Sequence, residues 1–176
     1  MEPLAVTDRR ILTAQLRRAP RGVSAVETRC GFGFPQVVLV YPMMQGEPFP
    51  TLFWLSCPVL VQAIDRLEAA GWIKRLEERL SRDELLAARF AGAHRAYIEE
   101  RLALLEPADR IALEAAGRLS SLAERGIGGT ADRTRVKCLH LHAAHALARR
   151  NPIGEEALAM VPRRACSADD VLCARF

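Results

Sequence analysis

Thr51-Leu52-Phe53-Trp54-Leu55-Ser56-Cys57-Pro58 is the stretch where the chain changes its local habit. Residues 51–56 are apolar and β-favouring, and they read as a strand. Pro58 suits the first turn of a helix, because the N–H that it lacks would be unpaired there. Upstream, Gln36-Val37-Val38-Leu39-Val40-Tyr41 is a second β-branched run, and 23–29 alternates moderately. Cys30-Gly31-Phe32-Gly33-Phe34-Pro35 supplies a turn between them, and 42–50 reads as a loop. Three strands with short connections predict an antiparallel meander over about 22–56.

Downstream of Pro58 the pattern is helical. Helices are predicted over 58–70 with Gly71 as the stop, over 72–80, and from Ser81 or Asp83 to about 105. Others follow over 107–124, around Cys138, and over 155–161, with Asn151-Pro152-Ile153-Gly154 ending the Cys138 helix. A short amphipathic helix over 7–18 precedes the strands. The expectation is an α+β chain of one domain, 1–176. Its small three-stranded antiparallel sheet (22–56) packs against a predominantly helical part (58–161), and a tail of unassigned role (162–176) carries Cys166 and Cys173.

Half of the 176 residues are hydrophobic but only 6% are aromatic, so the core must be built from Leu, Ala, Val and Ile. The net charge of +4 comes from 25 basic and 21 acidic side chains. Arg9, Arg10, Arg17 and Arg18 make the first helix basic, which reads as a solvated face or as a contact for an acidic or nucleic-acid partner. No apolar run approaches the ~18 residues needed to span a membrane, and 1–20 has no hydrophobic core of a leader. A cytoplasmic chain with reduced cysteines is the expectation. Five cysteines are in any case an odd number for a disulfide framework.

The residues with chemistry are the thiols and imidazoles. Cys57 falls at the N-cap of the 58–70 helix, where unpaired N–H groups and the helix dipole favour thiolate. Cys30 precedes a glycine turn of the kind that exposes N–H groups to sulfur. Arg135-Val136-Lys137-Cys138-Leu139-His140-Leu141-His142-Ala143-Ala144-His145 holds a thiol and three histidines. At about 100° per residue, Cys138, His142 and His145 share a helix sector and His140 points away. The plain alternative is a buried Cys138 with hydrogen-bonded histidines. Asp65, Glu68 and Glu77 read as solvated helix faces. Residues 125–130 read as a flexible glycine loop, without the GK[ST] ending of a phosphate-binding loop.

Several of these stretches resemble one family. Arg29-Cys30, Pro48-Phe49-Pro50-Thr51 through Cys57-Pro58, Arg135-Val136-Lys137-Cys138-Leu139-His140, His145 and Asn151-Pro152-Ile153-Gly154 are similar to the pattern of the bacterial domain-of-unknown-function family numbered 501. The resemblance runs from about 21 to 158 and implies no activity. The family's pattern has a Cys-x-Cys-Gly arrangement where this chain has Phe32 at the second cysteine, and it matches His140 and His145 but not His142. It therefore points to His145 as the histidine on the thiol face.

Three readings follow. In the first, Cys30, Cys57, Cys138 and His145 meet to hold zinc or an iron–sulfur cluster; three thiols and an imidazole make a tetrahedral zinc set. In the second, Cys57 or Cys138 is a nucleophile with a histidine base, and Cys57 against His140 or His145 is the freer geometry. In the third, the chain is a helical interaction module with structural thiols.

Overall fold

The computed structural model describes residues 4–176. The elements in order are α1 (Val6–Leu16), β1 (Val23–Arg29), β2 (Pro35–Val40), β3 (Met43–Met44), β4 (Glu47–Pro48), β5 (Phe53–Leu55), α2 (Pro58–Ala69), α3 (Trp72–Leu80), α4 (Glu84–Ala103), α5 (Pro107–Ala115), α6 (Ser120–Ala123), α7 (Leu139–Ala148) and α8 (Pro152–Met160). The fold is α+β. No helix among the described residues is long and apolar enough to cross a membrane.

The sheet has the order β1-β2-β5 and is antiparallel throughout. Strand side chains alternate between faces, and β2 is covered on both. Val37 and Leu39 join Phe53 and Leu55 in the main core, beneath α2, α4, α7 and α8. Val38 and Val40 turn the other way and pack with Leu12 of α1, Val23 and Trp54. The 42–50 segment is not a plain loop: β3 and β4 form a small hairpin. Its tip residues, Gln45 and Gly46, both have positive φ (55° and 81°), the geometry of a tight two-residue hairpin turn.

Helix boundaries follow local chemistry. Pro58 is the first residue of α2, and the Asp83 side chain caps α4 by accepting from the Leu86 N–H at 2.9 Å. Two expectations need correction. The stretch 107–124 is not one helix; it breaks at Gly117, whose φ is 65°, and resumes as the short α6. Asn151-Pro152 does not merely end the Cys138 helix: Asn151 is the N-cap of α8 and accepts from the Gly154 N–H at 2.9 Å.

The glycine loop after α6 is held in place, contrary to its flexible reading. Ile127 and Gly128 are buried, and the Ile127 N–H donates to His94 Nδ1 at 3.0 Å. The fully buried Arg101 of α4 donates to the carbonyls of Leu122, Arg125 and Gly126, and to that of Pro50 at 2.8 Å. A Cβ on Gly126 would stand 2.3 Å from His94 Nδ1, so only glycine fits there.

Candidate functional site

The expected grouping of Cys30, Cys57, Cys138 and His145 is not the one that the fold makes. Cys138 is the N-cap of α7, with φ −163° and ψ 148°, so it lies outside the helical phase used to place it beside His145. His145 sits two helical turns further on, about 10.5 Å along the axis. It is buried among Phe53, Tyr97 and Asn151, stacked on Phe53 with ring centroids 5.7 Å apart.

Cys138 instead meets His140 and Glu68. One ligand atom from each of Glu68, Cys138 and His140 lies within 4.8 Å of the other two; among the described residues this is the one such group. Each of the three is partly buried. Glu68 comes from the last turn of α2, and its Oε1 accepts from the Leu139 N–H at 2.5 Å, so the carboxylate stoppers the start of α7. The same oxygen is 3.3 Å from His140 Nδ1. His140 Nε2 reaches Asp65 Oδ1 at 3.2 Å and the Val61 carbonyl at 3.4 Å.

Asp65 and Glu68, one turn apart on α2, thus flank the two ring nitrogens of His140. The Cys138 sulfur first, then the Glu68 and Asp65 charges, hold the His140 pKa up at about 9 against the effect of its burial. Neither carboxylate is the bystander on a solvated face that its sequence position suggests. Glu77 is likewise engaged, accepting from the Val136 N–H and from Arg135 Nε, each at 2.9 Å. Glu77 on α3 therefore catches the extended segment that leads into α7, and Glu68 and Asp65 on α2 catch the first turn of α7. The helical spacing of Asp65 and Glu68 was the visible signal; their partner lay about 70 positions away and was not visible.

A cleft of about 570 Å³ runs along α2 between α1 and the tail, lined in part by Gln15, Arg17, Ser56, Asp65 and Phe176. Asp65 and Val61 belong to its wall and both touch His140, so the imidazole lies just behind that wall.

Cys57 is the N-cap of α2, as its sequence position implies, but its thiol is not lowered. Burial pushes its pKa up, outweighing the pull of the Leu60 and Val59 N–H groups. Cys30 follows β1, and its N–H donates to the Phe34 carbonyl at 2.9 Å. Arg9, Arg10, Arg17 and Arg18 are exposed, and the Arg18 guanidinium lies 5.0 Å over the Trp54 ring.

The other histidines form a second buried set. Asn151 Nδ2 stands 3.1 Å from both His142 Nδ1 and His145 Nδ1. An amide NH₂ has two hydrogens to give, so both rings accept at Nδ1 and carry their proton at Nε2. Burial keeps them neutral, with pKa values of about 3 for His142 and about 4 for His145.

A family model described as a protein of unknown function, DUF501, matches residues 26–159. This chain belongs to the DUF501 family. The matched span of this DUF501 protein holds the sheet from β1's interior onward and all of α2 to α7, and with them Glu68, Cys138, His140 and the Asn151 pair. It excludes α1 and the tail that carries Cys166 and Cys173. No curated protein and no solved structure matches the chain.

Proposed function

We propose that this DUF501 chain is a metal-binding protein whose ion, zinc, is held by Glu68, Cys138 and His140. The observation that carries this reading is the approach of one oxygen, one sulfur and one ring nitrogen to within 4.8 Å of one another. Thiolate, imidazole and carboxylate are all zinc ligands, and three protein ligands leave a fourth position open for water or a substrate atom. With Nδ1 on the ion, Nε2–H points to Asp65 and fixes the ring, as carboxylates behind zinc-bound histidines do.

Metal analysis of the protein purified without chelator tests it. The expected result is one equivalent of zinc fewer in Cys138→Ser and in His140→Ala than in the wild type, while both variants keep the wild-type circular dichroism. Zinc content unchanged in both variants overturns it.

A second reading rests on the chain of contacts Cys138–His140–Asp65, which is that of a thiolate with a basic partner and an orienting acid. It is separated from the first by alkylation: selective modification of Cys138 at pH 7 that zinc does not protect supports the nucleophile.

A further inference from the structure

The remaining four thiols lie away from the Glu68 group. Cys57 opens α2 and Glu68 lies eleven residues later, about 16 Å along the helix. Around Cys57, two separate parts of the chain converge on the Pro35 carbonyl. It accepts from Ser56 Oγ at 3.3 Å and from Gln15 Nε2 at 2.9 Å. Gln15 Nε2 is also 3.2 Å from Cys173 Sγ, which ties the tail to the same point. The Cys57 N–H donates to the Gln36 carbonyl at 3.3 Å. Arg29, the neighbour of Cys30, pairs with Pro35 across the sheet. In the tail, a bridge between Ser167 and Asp170 turns the chain between Cys166 and Cys173. Burial first, and then the charges of Cys30 and Cys166, raise the pKa of the Cys57 thiol; burial, and then Cys57, Cys30 and Cys166, raise that of Cys173.

A second observation concerns what holds the tail. No residue of 162–176 belongs to any of the three apolar clusters of the described residues. Yet Cys173 is buried, at 6% exposure, with its sulfur against Gln15 of α1. The segment that docks there buries one of its two cysteines and adds no residue to those apolar clusters.

We propose that Cys30, Cys57, Cys166 and Cys173 bind one zinc ion as a four-thiolate site, and that this ion pins the C-terminal tail to the sheet. Each thiol gives up its proton, and four thiolates surround the ion tetrahedrally at about 2.3 Å. The sulfurs stand further apart than such an ion sets them: no three of them lie within 4.8 Å of one another, against about 3.8 Å around zinc. Loading therefore draws the tail inward. The Gln15 side-chain amide already faces the Cys173 sulfur, and the Val59 and Leu60 N–H groups at the start of α2 would help to stabilise charge on Cys57. The site is independent of the one at Cys138.

The test uses the full chain, reduced and reconstituted anaerobically with cobalt(II), in the Cys138→Ser background so that the other site is silent. Expected is one equivalent of metal with an intense sulfur-to-cobalt charge-transfer band, both lost on adding Cys57→Ser and Cys173→Ser. Trypsin cleavage at Arg163 and Arg164 should rise at least tenfold as metal is removed. An unchanged band and stoichiometry in the triple variant overturn the proposal, as does a disulfide between any two of the four thiols in the freshly purified protein. If the triple variant does not fold, chelator titration of the Cys138→Ser protein decides: tail cleavage that is the same with and without metal also overturns it.

Discussion

A Cβ on Gly154 would stand 1.9 Å from the carbonyl oxygen of His142. The first turn of α8 thus lies directly against the backbone of α7, with no side chain between them. Gly154→Ala is expected to lower stability by at least about 3 kcal/mol, since backbone on both sides must move. Gly92, in α4, meets only the tip of the Arg95 side chain, at 3.7 Å. Gly92→Ala should be neutral or stabilising by up to about 1 kcal/mol. Urea midpoints of the two variants check both statements, and equal effects would contradict the packing described.

Asn151 has three partners and no substitute for any of them. Its oxygen caps α8 and its amide hydrogens serve two buried imidazoles. Asn151→Ala should cost about 2–4 kcal/mol, made of a lost cap and two buried ring nitrogens left unpaired. Asn151→Asp keeps the cap but offers acceptors to atoms that are themselves acceptors. It should bring His145 into titration above its present value of about 4, as read by the pH dependence of its ring proton shifts.

Stability should fall as the solution is made acidic, in a window set by the buried histidines. His94 and His145 both have pKa values of about 4, lowered chiefly by burial. His145 also faces Arg149, His94 and Tyr97; His94 also faces Arg133 and Arg101. A pKa depressed below the unfolded value of about 6.5 favours the unfolded state once protons bind there. The contribution is complete above pH 6.5 and is lost as pH falls from there toward 4. His140 works in the opposite sense. Its raised value near 9 stabilises below 6.5, and that stabilisation fades as pH rises through 9. Each depressed histidine should remove about 2 kcal/mol between pH 7 and pH 5, partly offset by His140. Denaturant unfolding of the metal-free protein at the two pH values measures the difference; a flat profile would show that the imidazoles are not held neutral.

What the sequence revealed was the part of the structure written in local terms. Pro58, Gly71 and Asp83 mark helix ends by their own backbone chemistry, and the β-branched run 36–41 marks a central strand. The α7–α8 junction was misread because Asn-Pro closes one helix and opens the next with the same residues. The site was half legible. Cys138 and His140 stood out by type, but an N-cap has extended backbone, and extrapolating the helical angle through it turned Cys138 to the wrong side. Glu68 was hidden for a different reason: on a helix surface a carboxylate that caps a distant helix has the same spacing as one that meets only water.

Arg101 carries one further implication. Its guanidinium is sealed inside with carbonyl oxygens from the segment before β5 and from α6 and the turn after it, and burial brings its pKa down to about 10. A cation so enclosed works as a rivet. The two segments that it joins cannot drift apart separately without stranding a positive charge in oil, so they must open together or not at all.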